Sequence, residues 1–191
     1  MQKICEYIRM NKNHPALTTP EELKHIIDNM VEDITTVIDA CTSEQYTWKN
    51  EHHPSSIGDH IRHTIEFIIE LNNSKNSGVV NYDARRRDER IASNRAYAKM
   101  ILTEETQKLQ KTLKTKDLAA EVITTQDETT LASTFGKEAV SIPSHTTHHL
   151  AVIKPLLEHH GIEIDKKIGV ARATLRHEGK LSAPEPQKQA S

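Results

Sequence analysis

The sequence is poor in the residues that cross-link or sharply turn a chain. It holds 2 cysteines and 6 glycines among 191 residues, and aromatic residues make up only 4%. Cys5 and Cys41 lie far apart and form no CxxC pair. That leaves no disulfide framework and no thiolate metal ribbon, and reduced thiols in a cytosol are expected. Scarce glycine and few aromatics argue against many-turned sandwiches and barrels. No run of about 18 apolar residues occurs, so no membrane-spanning helix is expected. The opening MQKICEYIRMNKNH lacks a long apolar segment and a small-residue cleavage site, which points to a cytoplasmic rather than a secreted chain. A formal charge of −2 gives no electrostatic case for nucleic acid or an anionic membrane.

What is present is helical periodicity. Residues 1–20 read as a polar N-terminal extension ending in TTP. Thr19-Pro20-Glu21-Glu22 has the chemistry of a helix start: a hydroxyl cap, proline in the first turn and acids at the positive dipole end. From Leu23, apolar residues at Ile26, Ile27, Met30, Ile34, Val37, Ile38 and Cys41 recur at three- and four-residue steps, predicting one amphipathic helix. A second helix is predicted from Ser55 or Ser56 through Ile57, Ile61, Ile65, Ile68 and Ile69, stopping in NNSKNSG. VVNYDARRRDER is charge-dense and reads as a turn into a third helix over about Ile91 to Leu113. The Thr-rich stretch from Glu121 to Ala132 suits a short hairpin or extended crossover. A fourth helix starts near Ser133 or Thr134 and reaches about His160, with Gly161 as its stop. Pro143 should kink this helix or mark its true start. SAPEPQKQAS reads as a disordered tail within residues 180–191. Together these segments predict an all-α, up-and-down four-helix bundle over residues 21–179, with one longer crossover.

Histidine is the other thing present in quantity. Within SHTTHHLAVI, His145 and His149 share one helical face. With 12 histidines in 191 residues, chance alone supplies roughly 0.75 such pairs, so the spacing by itself decides nothing. A metal site in a bundle takes side chains from facing helices. The second helix offers His60 and His63 in SSIGDHIRHTIEF, which are equally readable as half-buried interfacial residues.

SSIGDHIRHTIEF, VVNYDARRRDERI, STFGKEAVSIPSHTTHHLAVI and IGVARATLRHEG, in this order, resemble the DinB-like family of four-helix metalloproteins from about Leu23 to Gly179. The related metal-binding domain of ergothioneine-type sulfoxide synthases has a similar HxxH-T element and a later HxxxH. The resemblance implies His63, His145 and His149 as the ligands of a divalent metal, with His60 and His148 as neighbours. The chain departs from the family pattern at Asn81, Ala92, Pro143, Arg172 and Ala173, none of them a proposed ligand.

Three imidazoles without thiolate or carboxylate suit Zn²⁺, Ni²⁺ or Fe²⁺ and leave coordination positions open. Such a centre lowers the pKa of a bound water or thiol. The resemblance includes thiol-dependent S-transferases, so a small thiol is the expected substrate, with hydrolysis or a purely structural ion as alternatives. HTTHH is not a zinc-protease motif, because Thr146 stands where HExxH needs its general-base glutamate. Candidate proton acceptors are His60, His148 and Glu66, each also readable as a partner that orients a ligand or as a surface group. Glu138, seven residues before His145, is a further candidate partner. Arg85 or Arg87 could grip a substrate carboxylate in a two-pronged contact, although the NYDARRRDER run also reads as a solvated helix approach. A homodimer is plausible for a bundle, and no nucleic-acid or membrane partner is expected.

Overall fold

The computed structural model describes residues 18–180. The expected tail beyond Lys180 and most of the N-terminal extension lie outside them. Among the described residues are seven helices and three strands. Four helices are long: α1 (Pro20–Ala40), α3 (Ile57–Ser77), α5 (Arg95–Leu113) and α6 (Phe135–His159). Three are short: α2 (Ser43–Thr47), α4 (Glu89–Ser93) and α7 (Arg172–His177). None is long and apolar enough to cross a membrane.

The long helices begin where side-chain oxygens are available to their first free N–H groups. Thr19 caps α1 in a reciprocal box with Glu22, and Ser56 does the same for α3 with Asp59. Each box satisfies two backbone donors that an α-helix leaves unpaired at its start. Thr134 caps α6 by accepting from the Lys137 N–H. α3 ends at Gly78, whose φ of 69° lies in the left-handed region that glycine enters at little cost. The apolar stripes then face inward: Ile27, Ile34 and Ile38 of α1 and Ile61, Ile65 and Ile68 of α3 are fully buried. Each such side chain contributes about 1.5–3 kcal/mol by leaving water.

α3 packs against both α5 and α6, and α1 packs against the same two helices, so α1 and α3 sit across the core from one another. Gly58, near the start of α3, is required by this packing. A Cβ there would lie 2.0 Å from the Ala92 carbonyl oxygen and 2.8 Å from the Tyr46 ring.

Several expectations need correction. The chain is mostly helical rather than all-α, because β1 (Val79–Asn81), β2 (Glu121–Gln126) and β3 (Thr129–Thr134) form one sheet. The expected hairpin is β2–β3, but VVN, read as part of a turn, joins it as a third strand parallel to β2. The third predicted helix is broken in two. Asn94 adopts φ −133°, ψ 106°, ends α4, and caps α5 through the Tyr97 N–H. The linker after Cys41 holds α2, closed by its own Thr42–Gln45 box. Pro143 neither starts nor ends α6; the helix runs through it and through Pro155. Segment 168–175 folds back into the groove between α1 and α6. There Ile168, Val170 and Leu175 share the lining with Met30 and Thr146.

Candidate metal centre

α3 and α6 pack together and run antiparallel, since the sheet joins the end of one to the start of the other. Their packed faces bring His63, His145 and His149 into one group, each half-buried, whose ligand atoms all lie within 4.8 Å of one another. The Nε2 atoms of His63 and His145 are 2.9 Å apart, and those of His145 and His149 are 3.1 Å apart. Ring centroids within the trio are separated by 4.5–5.0 Å. Among the described residues this is the one set of three or more His, Cys, Asp or Glu side chains that converges in this way.

Hydrogen bonding alone does not account for the trio. A neutral imidazole nitrogen carries either a proton or one in-plane lone pair. Nε2 of His145 faces two other ring nitrogens at bonding distance and can serve only one of them well. A shared cation serves all three. Two imidazole nitrogens, each about 2.0–2.1 Å from one ion, stand about 2.9–3.4 Å apart at right-angled to tetrahedral geometry. The observed separations fall in that range, so the residues fit a divalent ion.

The imidazoles are held in the neutral form a metal needs. Burial, then the Arg85 guanidinium and the neighbouring His145, push His63 down to about 4. Burial, then His63 and His145, push His149 down to about 3. His145 and His60 are also lowered, chiefly by burial.

Around the trio the other candidates take different places. His60 points Nδ1 at Nδ1 of His149, 3.1 Å away. On the opposite flank Nη2 of Arg85 lies 3.2 Å from Nδ1 of His63. Glu66 is only 3% exposed; it accepts from the Asp88 N–H at 3.1 Å and faces Arg62 and Arg85. Glu138 hydrogen-bonds elsewhere than to the trio: its carboxylate accepts from the Tyr82 hydroxyl at 3.0 Å and from Ser133. His148 is exposed, with its ring edge-on to His149. Arg87 is exposed.

One residue the sequence reading passed over is Phe67. Its ring stacks on His145 at 4.2 Å and on Tyr82 at 4.3 Å, and meets His63 edge-on at 4.9 Å. The signal was its position four residues after His63, on the same helical face. Phe67, Tyr82, Leu131, Lys137, His145 and His148 line part of an open cavity of about 470 Å³ between the sheet and α6. A small molecule in that cavity reaches the ring of His145.

Compared with family models, with curated proteins and with solved structures, the chain matches none.

Proposed function

We propose that the protein is a DinB-like metalloprotein in which the long helices form an up-and-down four-helix bundle. In this reading His63, His145 and His149 hold one Zn²⁺, Ni²⁺ or Fe²⁺ ion. The observation that carries it is the meeting of three neutral imidazole nitrogens from two helices, at separations one ion explains and hydrogen bonds do not. Three protein ligands are fewer than these ions take, which leaves room for a substrate.

When bound, such an ion supplies Lewis acidity that favours the deprotonated form of a small thiol or a water. The reaction class that follows is transfer from a thiol to an electrophile, with hydrolysis as the alternative. The chain's own contribution is placement. Phe67 and Tyr82 give the cavity beside His145 an apolar wall, while Lys137 and His148 stand on its polar side. His148, exposed and next to a ligand, is the residue best placed to exchange a proton with solvent. A second reading rests on the same geometry. Because the donors come from two packed helices, an ion there would also staple α3 to α6 without turnover.

Elemental analysis of purified protein, with thermal melting before and after chelation, separates these accounts. The enzymatic reading expects one bound ion per chain, at most a modest loss of melting temperature on chelation, and metal-dependent consumption of a small thiol by an electrophile such as a chlorodinitrobenzene. Collapse on chelation without any turnover favours the staple. Equal metal in the wild type and a His63→Ala, His145→Ala variant removes the centre.

A further inference from the structure

The two outer contacts of the trio pull in opposite directions. A histidine that binds metal through Nε2 must carry its proton on Nδ1, and the usual partner of that N–H is an acceptor. His149 has such a partner. With its own proton on Nε2, His60 accepts at Nδ1 from the Nδ1–H of His149 across 3.1 Å, leaving Nε2 of His149 free. His63 has the reverse. A guanidinium donates and never accepts, so Arg85, 3.2 Å from Nδ1 of His63, requires Nδ1 to accept. The ring proton of neutral His63 is then on Nε2, the atom aimed at Nε2 of His145 across 2.9 Å. A protonated Nε2 has no lone pair for a metal.

We propose that Arg85 gates the centre: it holds His63 in the non-ligating tautomer, and a small carboxylate that draws the guanidinium away opens the site to metal. This rests on the metal reading above. Arg85 is placed for such a move. Its side chain is 15% exposed, its Nε stands 3.6 Å from Glu66, longer than a hydrogen bond, and its guanidinium lies 5.0 Å from the Phe67 ring centre. It also donates to the Tyr82 carbonyl. A free carboxylate offers a two-pronged partner, which the single 3.6 Å approach of the Glu66 carboxylate does not. Metal and carboxylate then favour each other's binding, by the reciprocity any linked pair of sites obeys.

The test is Zn²⁺ affinity, by competition with a chromophoric chelator, for the full chain and for Arg85→Met and Arg85→Gln. Each is measured in sodium chloride and in sodium acetate at equal ionic strength, with thermal melting as the check on folding. Both variants should bind Zn²⁺ about tenfold more tightly than the wild type, the scale on which partners of metal-bound histidines act. Acetate should tighten the wild type about threefold and leave Arg85→Met unchanged. A folded variant that binds no more tightly than wild type overturns the gate, and so does an acetate effect that survives in Arg85→Met. Nitrogen-15 shifts of His63 in the metal-free wild type give an answer that needs no variant. A proton on Nε2 supports the gate, and a proton on Nδ1 overturns it. If no protein binds Zn²⁺ although the Nε2 proton is seen, the metal reading has failed while the tautomer contact stands.

Discussion

Two faces of α6, about a third of a turn apart, both gather potential ligands, and only one assembles them. The first presents His145 and His149 to His63 with nitrogens in near contact. The second, carrying Thr146 and Leu150, lines a cavity of about 420 Å³ shared with Glu32, Asp33 and Asp165. Three carboxylates around one groove look like a cation site on composition alone. Yet among the described residues only the histidines bring three ligand atoms within 4.8 Å. Burial pushes Asp33 up to about 6, with the Glu32 and Asp165 carboxylates adding to it. Burial leads, and the Arg172 and Lys154 cations offset the neighbouring carboxylates only in part. Residue type proposes a site, and convergence makes one.

The largest effect that would break this comparison is on the histidine face. In a His145→Ala, His149→Ala variant, metal content by elemental analysis should fall from about one ion per chain to background. Retention of metal would show that the other face, or another part of the chain, holds it. Next in size is His60→Ala, which should weaken Zn²⁺ binding about 10- to 100-fold in a chelator competition. His60→Asn, able to accept through its amide oxygen, should recover part of that loss. An unchanged affinity in His60→Ala would mean that His149 is oriented by something else.

On the acidic face the expected effects are smaller and opposite in sign. A carboxylate whose folded pKa is raised from 3.8 to about 6 keeps a proton that the unfolded chain has released. Its contribution is favourable at low pH and is lost as pH rises through that interval. Asp33→Asn should therefore stabilise the protein at pH 7.5 by about 1 kcal/mol, a figure discounted for solvent screening, and by nearly nothing at pH 4. Urea titrations at the two pH values read this directly; equal effects at both would show that Asp33 is not strained by charge. Smallest of all is Thr146→Val. The Thr146 hydroxyl is buried with no hydrogen-bond partner among the described residues, so removing it should be neutral or stabilising by less than about 1 kcal/mol. A clear destabilisation would reveal a partner, such as an ordered water.

How much of this was legible in the sequence follows the range of the forces involved. Thr19, Ser56 and Thr134 act within one helical turn, and all three starts could be read from neighbours in the chain. Helical spacing likewise showed that His145 and His149 share a face. The break at Asn94 was hidden because Ile91 and Ala98 both keep apolar positions across it, and only the extended backbone of Asn94 lets Tyr46 reach the Ile91 carbonyl at 3.0 Å. β1 was hidden because three residues carry no period of their own; its partner lies 44 positions away, Val80 opposite Thr124. Pro143 left a kink and a helix start both open, because its missing N–H interrupts the ladder; the helix starts earlier, at Phe135, and runs through it. The Arg85–His63 contact was beyond reach, since no local rule fixes where a long side chain from a loop comes to rest.

The sheet adds something to this centre that no donor residue supplies. β1 leaves the end of α3 directly after Gly78, β2 lies beside it, and the last residue of β3, Thr134, is also the cap of α6. A hydrogen-bonded ruler thus joins the two helices at one end, and it fixes how far each slides along the other. Fine adjustment of the gap between the histidines is therefore available from strand residues outside the trio, such as Val80 or Val122, while every histidine stays in place.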